Sequence, residues 1–254
     1  MRPTFALSLV LQSLVLLVTL LTCAGGCTTG EYGADYESRV QDFRRDAVFA
    51  VLAGQATDLA DGRLRMRLPM DLGPQTEDDG TKIRQKPPFV RDFPGFAAAY
   101  EKNVTKGNMR LPAVLTVGFV PSAEQRHAAV EAAILEQVRR DESFRKADWQ
   151  RGRAVEPAAA GPAVWDVLVL KGQQEFESIV AGTPEYKKWP GLCEIWVSAD
   201  PKQDQCTVLA LRVPDEIADT LPVPPEQLIE LVARTVHAVP PPDEEPAADP
   251  PRGK

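Results

Sequence analysis

Histidine is nearly missing from this chain. His127 and His237 are the only two among 254 residues, so a Ser-His or Cys-His nucleophile pair has little from which to draw a base. Cysteine is scarce as well, with four residues, too few and too widely spaced for a paired CxxC zinc or redox motif or for a disulfide-dense scaffold. The phosphate loop, the dinucleotide glycine fingerprint, the GxSxG elbow and HExxH are all absent. No residue is therefore singled out as catalytic, cofactor-binding or metal-ligating, and no cofactor is expected. Basic charge is also in deficit. Setting aside Arg2, the only charged residue of the leader described below, 28 basic side chains face 36 acidic ones, a formal charge of −8, which argues against nucleic acid and against lying flat on an anionic leaflet.

What is present begins at the N-terminus. Met1 and Arg2 precede an apolar run from Phe5 to Leu21, broken only by Ser8, Gln12, Ser13 and Thr19. The run lacks both the length and the stop-transfer flank of a spanning helix and reads as a targeting segment. Thr22-Cys23-Ala24-Gly25-Gly26-Cys27 follows, with small residues before the second cysteine, as the subsite of a signal peptidase requires. Ala24-Gly25-Gly26-Cys27 resembles the lipobox of bacterial lipoproteins. Cys23 departs from it, standing where the family usually carries an apolar residue. The resemblance implies that residues 1–26 are a signal peptide and that Cys27 is the lipidated first residue of the mature chain. More than one acyl chain gives stable membrane attachment. It also implies a domain outside the cytoplasm, at the cell membrane or the outer membrane, the latter favoured because Thr28 and Thr29, and no aspartate, follow the anchor. Residues 27–34 form a tether of roughly 27 Å at full extension.

The remainder divides into a domain over residues 35–239 and a tail over 240–254 whose prolines and acids predict solvated disorder. Asp35 as an N-cap and Tyr36, Val40, Phe43, Ala47 and Val51 at helical spacing predict a first helix. Arg63-Leu64-Arg65-Met66-Arg67-Leu68 alternates strictly, which puts Leu64, Met66 and Leu68 on a core face and three arginines on the other. Arg63, Arg65 and Arg67 could form an anion-facing stripe. The plainer reading, a solvated face paired with carboxylates, is preferred because no glycine-rich turn accompanies it. Pro69 to Pro94 reads as a long loop. A hairpin is predicted from Phe96 to Lys102 and Arg110 to Val120, turning near Lys106-Gly107-Asn108.

Ser122 and Gln125 form a capping box for a helix to about Asp141 with Val130, Ile134 and Val138 buried. His127 falls on that apolar stripe and reads as a packed core histidine; His237, opposite Leu228, Val232 and Val239 on a last helix from Pro224 to Val239, reads as solvated. Neither is read as having a metal partner at i+4. Val164 to Leu170 predicts a strand, Gln173 to Val180 a strand or a helical turn, and Pro184 to Gly191 a loop. Cys193 and Cys206 lie in two strand-like runs. If they face each other, the turn is Ser198-Ala199-Asp200-Pro201 and a disulfide is permitted; if the turn is longer they fall out of register and stay free. The four tryptophans read as core rather than as a sugar platform.

Helix, strands, helix, strands, helix with short strand connections predicts a single α+β domain, a twisted, mainly antiparallel sheet flanked by about three helices. The run of Arg-Leu-Arg-Met-Arg-Leu-Pro, then Pro112-Ala113-Val114-Leu115-Thr116-Val117 and a capped helix, distantly resembles PsbP-like and DcrB-like domains. That resemblance implies a fold and no functional residue. The expected role is that of a membrane-anchored, non-catalytic binding or scaffold protein with an envelope protein as partner. A hydrolase or small-ligand-binding protein using carboxylates in a pocket is the alternative.

Overall fold

In a computed structural model of the chain, residues 47–74, 92–121, 127–158, 161–180, 182–198 and 205–239 are described. The leader, Cys27 and its tether, nearly all of the first predicted helix, the middle of the Pro69–Pro94 loop, the capping box and the acidic tail lie outside these residues. The chain divides into Met1–Phe49 and Ala50–Lys254, and the elements below belong to the second unit.

Three short strands form a small sheet in the order β1-β2-β10: β1 (Thr57–Leu59), β2 (Leu64–Met66) and β10 (His237–Ala238). Leu64 and Met66 are fully buried, as the alternation requires. The main sheet has seven strands in the order β3-β4-β5-β9-β8-β7-β6. They are β3 (Gly73–Pro74), β4 (Phe96–Lys106), β5 (Met109–Pro121), β6 (Gln150–Ala154), β7 (Val164–Val180), β8 (Thr183–Ser198) and β9 (Gln205–Pro214). Every pairing is antiparallel. The predicted β4–β5 hairpin is present and turns at Gly107, whose φ of +64° suits glycine.

Two helices cover the two faces of the central strands. α1 (His127–Arg139) lays Val130, Ile134 and Val138, one turn apart, against Leu168, Leu170, Cys193, Ile195, Val208 and Ala210. α2 (Pro225–Arg234) starts on a proline, carries Glu226 in its first turn and Arg234 in its last, and buries Leu228, Ile229, Leu231 and Val232. Glu230 of α2 pairs with Arg153, whose guanidinium lies 4.6 Å from the centre of the Trp196 ring, so α2 sits over the Trp196 face. With both faces covered, β9 is buried from Cys206 to Pro214 and its sequence runs apolar rather than alternating. Trp165 and Trp196 are fully buried in edge-to-face contact at 6.1 Å, as core tryptophans.

The architecture is thus α+β and mainly antiparallel. It departs from the sequence reading in several elements, among them β3, whose Gly73 and Pro74 pair with Glu101 and Tyr100 inside the stretch read as a long loop. Pro184 to Gly191 is strand, not loop: β8 pairs with β7 without interruption from Thr183 to Ser198. This stretch runs past the end of β9, so it is paired on one side only, the position in a sheet that tolerates proline. β6 lies within Ala147 to Pro162, a stretch rich in alanine, glycine and proline in which no element is predicted. The last helix stops at Arg234, and His237 pairs with Arg65 in β10 instead of facing solvent from a helix. The Thr235 hydroxyl accepts the Arg67 N–H at 3.0 Å, which ties the chain to the small sheet at that point.

The cysteines follow the longer-turn alternative. Cys193 faces Arg212 across β8–β9, and Cys206 faces Val120 across β5–β9. Both thiols are free and buried. The register that would have joined them is displaced by six residues, which no disulfide spans.

Candidate functional site

Among the described residues, a convergent group of ionisable side chains lies where the N-terminal half of α1 meets β6 and β7. His127 and Glu131 stand one turn apart on the helix, and Asp166 projects from β7. A bulge aims the fourth member. Between Gln150↔Val167 and Arg153↔Trp165, β6 has one residue more than β7, and Gly152 takes φ +70° there. As a result the Gly152 N–H donates to Asp166 Oδ1 at 2.7 Å and Arg151 Nη1 to Asp166 Oδ2 at 2.8 Å. The same Nη1 lies 2.5 Å from both carboxylate oxygens of Glu131.

Burial separates these groups. The Glu131 and Asp166 side chains are only 5% and 7% exposed, whereas that of Arg151 is 58% exposed. Burial raises the pKa of Glu131, against the opposing pull of Arg151 and His127. Burial acts on Asp166 as well, but the Gly152 N–H, Arg151 and Glu131 together outweigh it and hold that carboxyl below its ordinary value. Two neighbouring acids are thus driven apart, with Glu131 the first to take a proton. Arg151 is held firmly in its charged form by the two carboxylates.

His127 is not the core histidine expected from the stripe. Its side chain is 31% exposed, although its Nε2 is shielded from solvent and makes no hydrogen bond. That nitrogen lies 3.6 Å from Glu131 Oε1 and 3.7 Å from Asp166 Oδ2. His127, Glu131 and Asp166 each offer one donor atom, all within 4.8 Å of one another. Glu131 stands at i+4 from His127, so the helix places a carboxylate beside that histidine, and the His-x-x-x-Glu spacing was the available signal.

A second feature is a cavity of about 320 Å³ at the other end of α1. Val138, Phe144 and Leu170 supply apolar wall, Gln174 and Arg212 supply buried polar wall, and Gln137, Asp92, Asp141 and Glu175 ring the mouth. Arg212 donates to the Glu175 carbonyl, and its guanidinium lies 4.8 Å from the centre of the Phe176 ring. Burial lowers its pKa to about 10, which leaves it charged at neutral pH. Asp141 is held below the ordinary carboxylate value, first by the Ser143 N–H, and it also pairs with Lys188.

The arginines of the 63–67 stretch do not form a common stripe. Arg65 pairs with Asp58, Arg63 lies over the Phe119 ring at 4.9 Å, and Arg67 donates from Nε to the Ala53 carbonyl at 2.6 Å. Each is used within the fold.

No family model and no curated protein matches the chain. Among solved structures it is similar to the cyanobacterial PsbP of Synechocystis sp. PCC 6803, at 13% identity and a TM-score of 0.35, over 75% of this chain and 94% of that one. It is also similar to the Ran-binding protein Mog1p of Saccharomyces cerevisiae, at 9% identity and a TM-score of 0.36, over 74% and 96%. The protein thus has distant neighbours of the PsbP and Mog1 type. At such scores the likeness carries no functional argument, and the α+β description rests on the strand pairings themselves.

Proposed function

We propose that this chain is a lipid-anchored envelope protein whose domain binds a ligand without transforming it, the ligand pairing an apolar body with an acceptor group, an anionic one above all. The anchor rests on the apolar leader and on Ala24-Gly25-Gly26-Cys27. The observation that carries the binding reading is the cavity under α1. It is of ligand size, Val138, Phe144 and Leu170 give it an apolar wall, and one buried guanidinium, Arg212, stands among its lining residues. A guanidinium in a low-dielectric wall is a strong donor for a carboxylate or phosphate group. Of the carboxylates that also line the cavity, Asp141 is already committed to Ser143 and Lys188.

Mass spectrometry of the small molecules that co-purify with the full chain from gently solubilised membranes tests this. A species held by the wild type should be lost in Gln137→Trp, which plugs the mouth and leaves the core intact. Equal content in the two proteins contradicts it.

A hydrolase working through carboxylates is favoured by one observation, the opposite displacement of the Glu131 and Asp166 pKa values. Arg151 across both carboxylates weighs against it. Turnover of chromogenic esters, phosphates or glycosides that disappears in Glu131→Gln would support that reading.

A further inference from the structure

The cluster at the N-terminal half of α1 has the geometry of an ion site already filled by a side-chain cation. We propose that His127, Glu131 and Asp166 form a three-donor site for a zinc-class divalent cation, in which Arg151 is a resident counter-charge that the metal displaces.

Three observations support this. The first is spacing. An ion bound at about 2.0–2.1 Å to an imidazole nitrogen and to carboxylate oxygens in tetrahedral geometry holds those donors roughly 3.4 Å apart. His127 Nε2 stands 3.6 Å from Glu131 Oε1 and 3.7 Å from Asp166 Oδ2, too far for hydrogen bonds and close to that separation.

The second is the unsatisfied nitrogen. His127 Nε2 is shielded from water yet bonds to nothing, although two carboxylates lie beside it. An imidazole nitrogen that faces two carboxylate oxygens without a hydrogen bond to either is an arrangement of donors that a cation placed between them would join.

The third is the occupant. Arg151 Nη1 touches both oxygens of Glu131 and one of Asp166, so positive charge is already required at this point. The carboxylates are buried and fixed, Asp166 by the Gly152 N–H, whereas the arginine is more than half exposed and has a solvent path out. Displacement thus needs a side-chain swing and no opening of the core. One imidazole and two carboxylates suit zinc and its neighbours better than magnesium or calcium, which prefer all-oxygen sites. With three protein donors a position is left for water or for a partner's side chain.

The test uses the untagged full chain, purified in detergent and stripped of metal, with Co²⁺ and then Zn²⁺ as probes. Co²⁺ should raise visible absorption bands of a low-coordinate site, and Zn²⁺ should abolish them. Arg151→Met, which removes the competing charge and keeps the aliphatic length, should tighten Co²⁺ binding at least tenfold. Zn²⁺ should restore the melting temperature that this variant loses. His127→Ala, at a partly exposed position, should remove the bands in both backgrounds. Absence of bands from both wild type and Arg151→Met overturns the proposal, and so do bands that survive His127→Ala. An Arg151→Met variant that binds Co²⁺ no more tightly than wild type, or whose lost stability zinc does not restore, assigns Arg151 to a structural ion pair and equally overturns it. The cavity at the other end of α1 takes no part in these outcomes.

Discussion

Arg151 on β6 and Asp166 on β7 are joined by a 2.8 Å contact that exists because β6 carries one extra residue beside Gly152. The bulge turns the Arg151 side chain toward α1, and the same nitrogen then reaches Glu131. A backbone irregularity at a sheet edge thereby assembles a charged group drawn from three elements.

Stability should depend on pH through that group. Glu131 has a raised pKa in the folded chain, so above its ordinary value of 4.5 the folded state holds more protons than the unfolded one. Its contribution is complete below that value and is lost as pH rises through the raised one. Asp166 acts in the opposite sense, contributing above its ordinary value and losing the contribution as pH falls through its depressed folded value. Glu131→Gln removes the first dependence and leaves Asp166 held by the Gly152 N–H and Arg151. Chemical denaturation over a pH series should show the variant gaining on the wild type as pH rises above 4.5, then a constant difference. A difference that does not change with pH would contradict the assignment.

Two glycines with similar φ should respond differently to alanine. Gly95, at φ +59°, approaches β5 so closely that an added Cβ would lie 2.2 Å from the Phe119 carbonyl oxygen, and the Phe119 N–H donates to the Gly95 carbonyl. Gly107, at φ +64° in the β4–β5 turn, has open space around it. Gly107→Ala should cost about 1 kcal/mol from conformation alone, whereas Gly95→Ala should cost roughly 3 kcal/mol because the backbone has to move as well. Equal losses in urea titrations would show that the close approach at Gly95 is wrong.

Cys193 and Cys206 should be inert in the native state. Burial raises both thiols to about 12, so little thiolate exists at pH 8. Iodoacetamide should modify neither in the folded protein and both after denaturation without reductant. Rapid native labelling, or a mass two hydrogens short, would contradict the free, buried arrangement.

Trp196→Phe should be more damaging than its volume change suggests. The indole N–H donates to Glu194 Oε2 at 3.0 Å, and Glu194 is itself buried, with its pKa raised by that burial. Losing the donor leaves a buried carboxyl short of a partner, at a cost of about 1–3 kcal/mol. A Phe variant as stable as wild type would mean that water replaces the indole there.

Much of the fold could be read from the residues. Leu64 and Met66 alternate into the core, Val130, Ile134 and Val138 mark the buried stripe of α1, and Gly107 marks a turn. What could not be read was set by neighbours. Pro184 and Pro190 read as loop residues, yet β7 supplies a continuous partner and β9 stops opposite Gly191. The last helix could have continued to Val239, but Thr235 is tied to Arg67 and the following residues pair with β2. The charged cluster was half visible: His-x-x-x-Glu on a helix is a local pattern, whereas Asp166 and Arg151 reach it only through pairing and a bulge. Arg212, in an apolar run of β9, gave a local sign as a lone charge, but the cavity it lines is made by four separate segments of the chain.

Native mass spectrometry of the full chain released from its own membranes reads the anchor and the bound ligand together. A polypeptide beginning at Cys27, heavier than its sequence by acyl chains and carrying a small non-covalent ligand that is missing from Gln137→Trp, is expected. An unmodified N-terminus, or a ligand-free mass for wild type and variant alike, would contradict the proposed function.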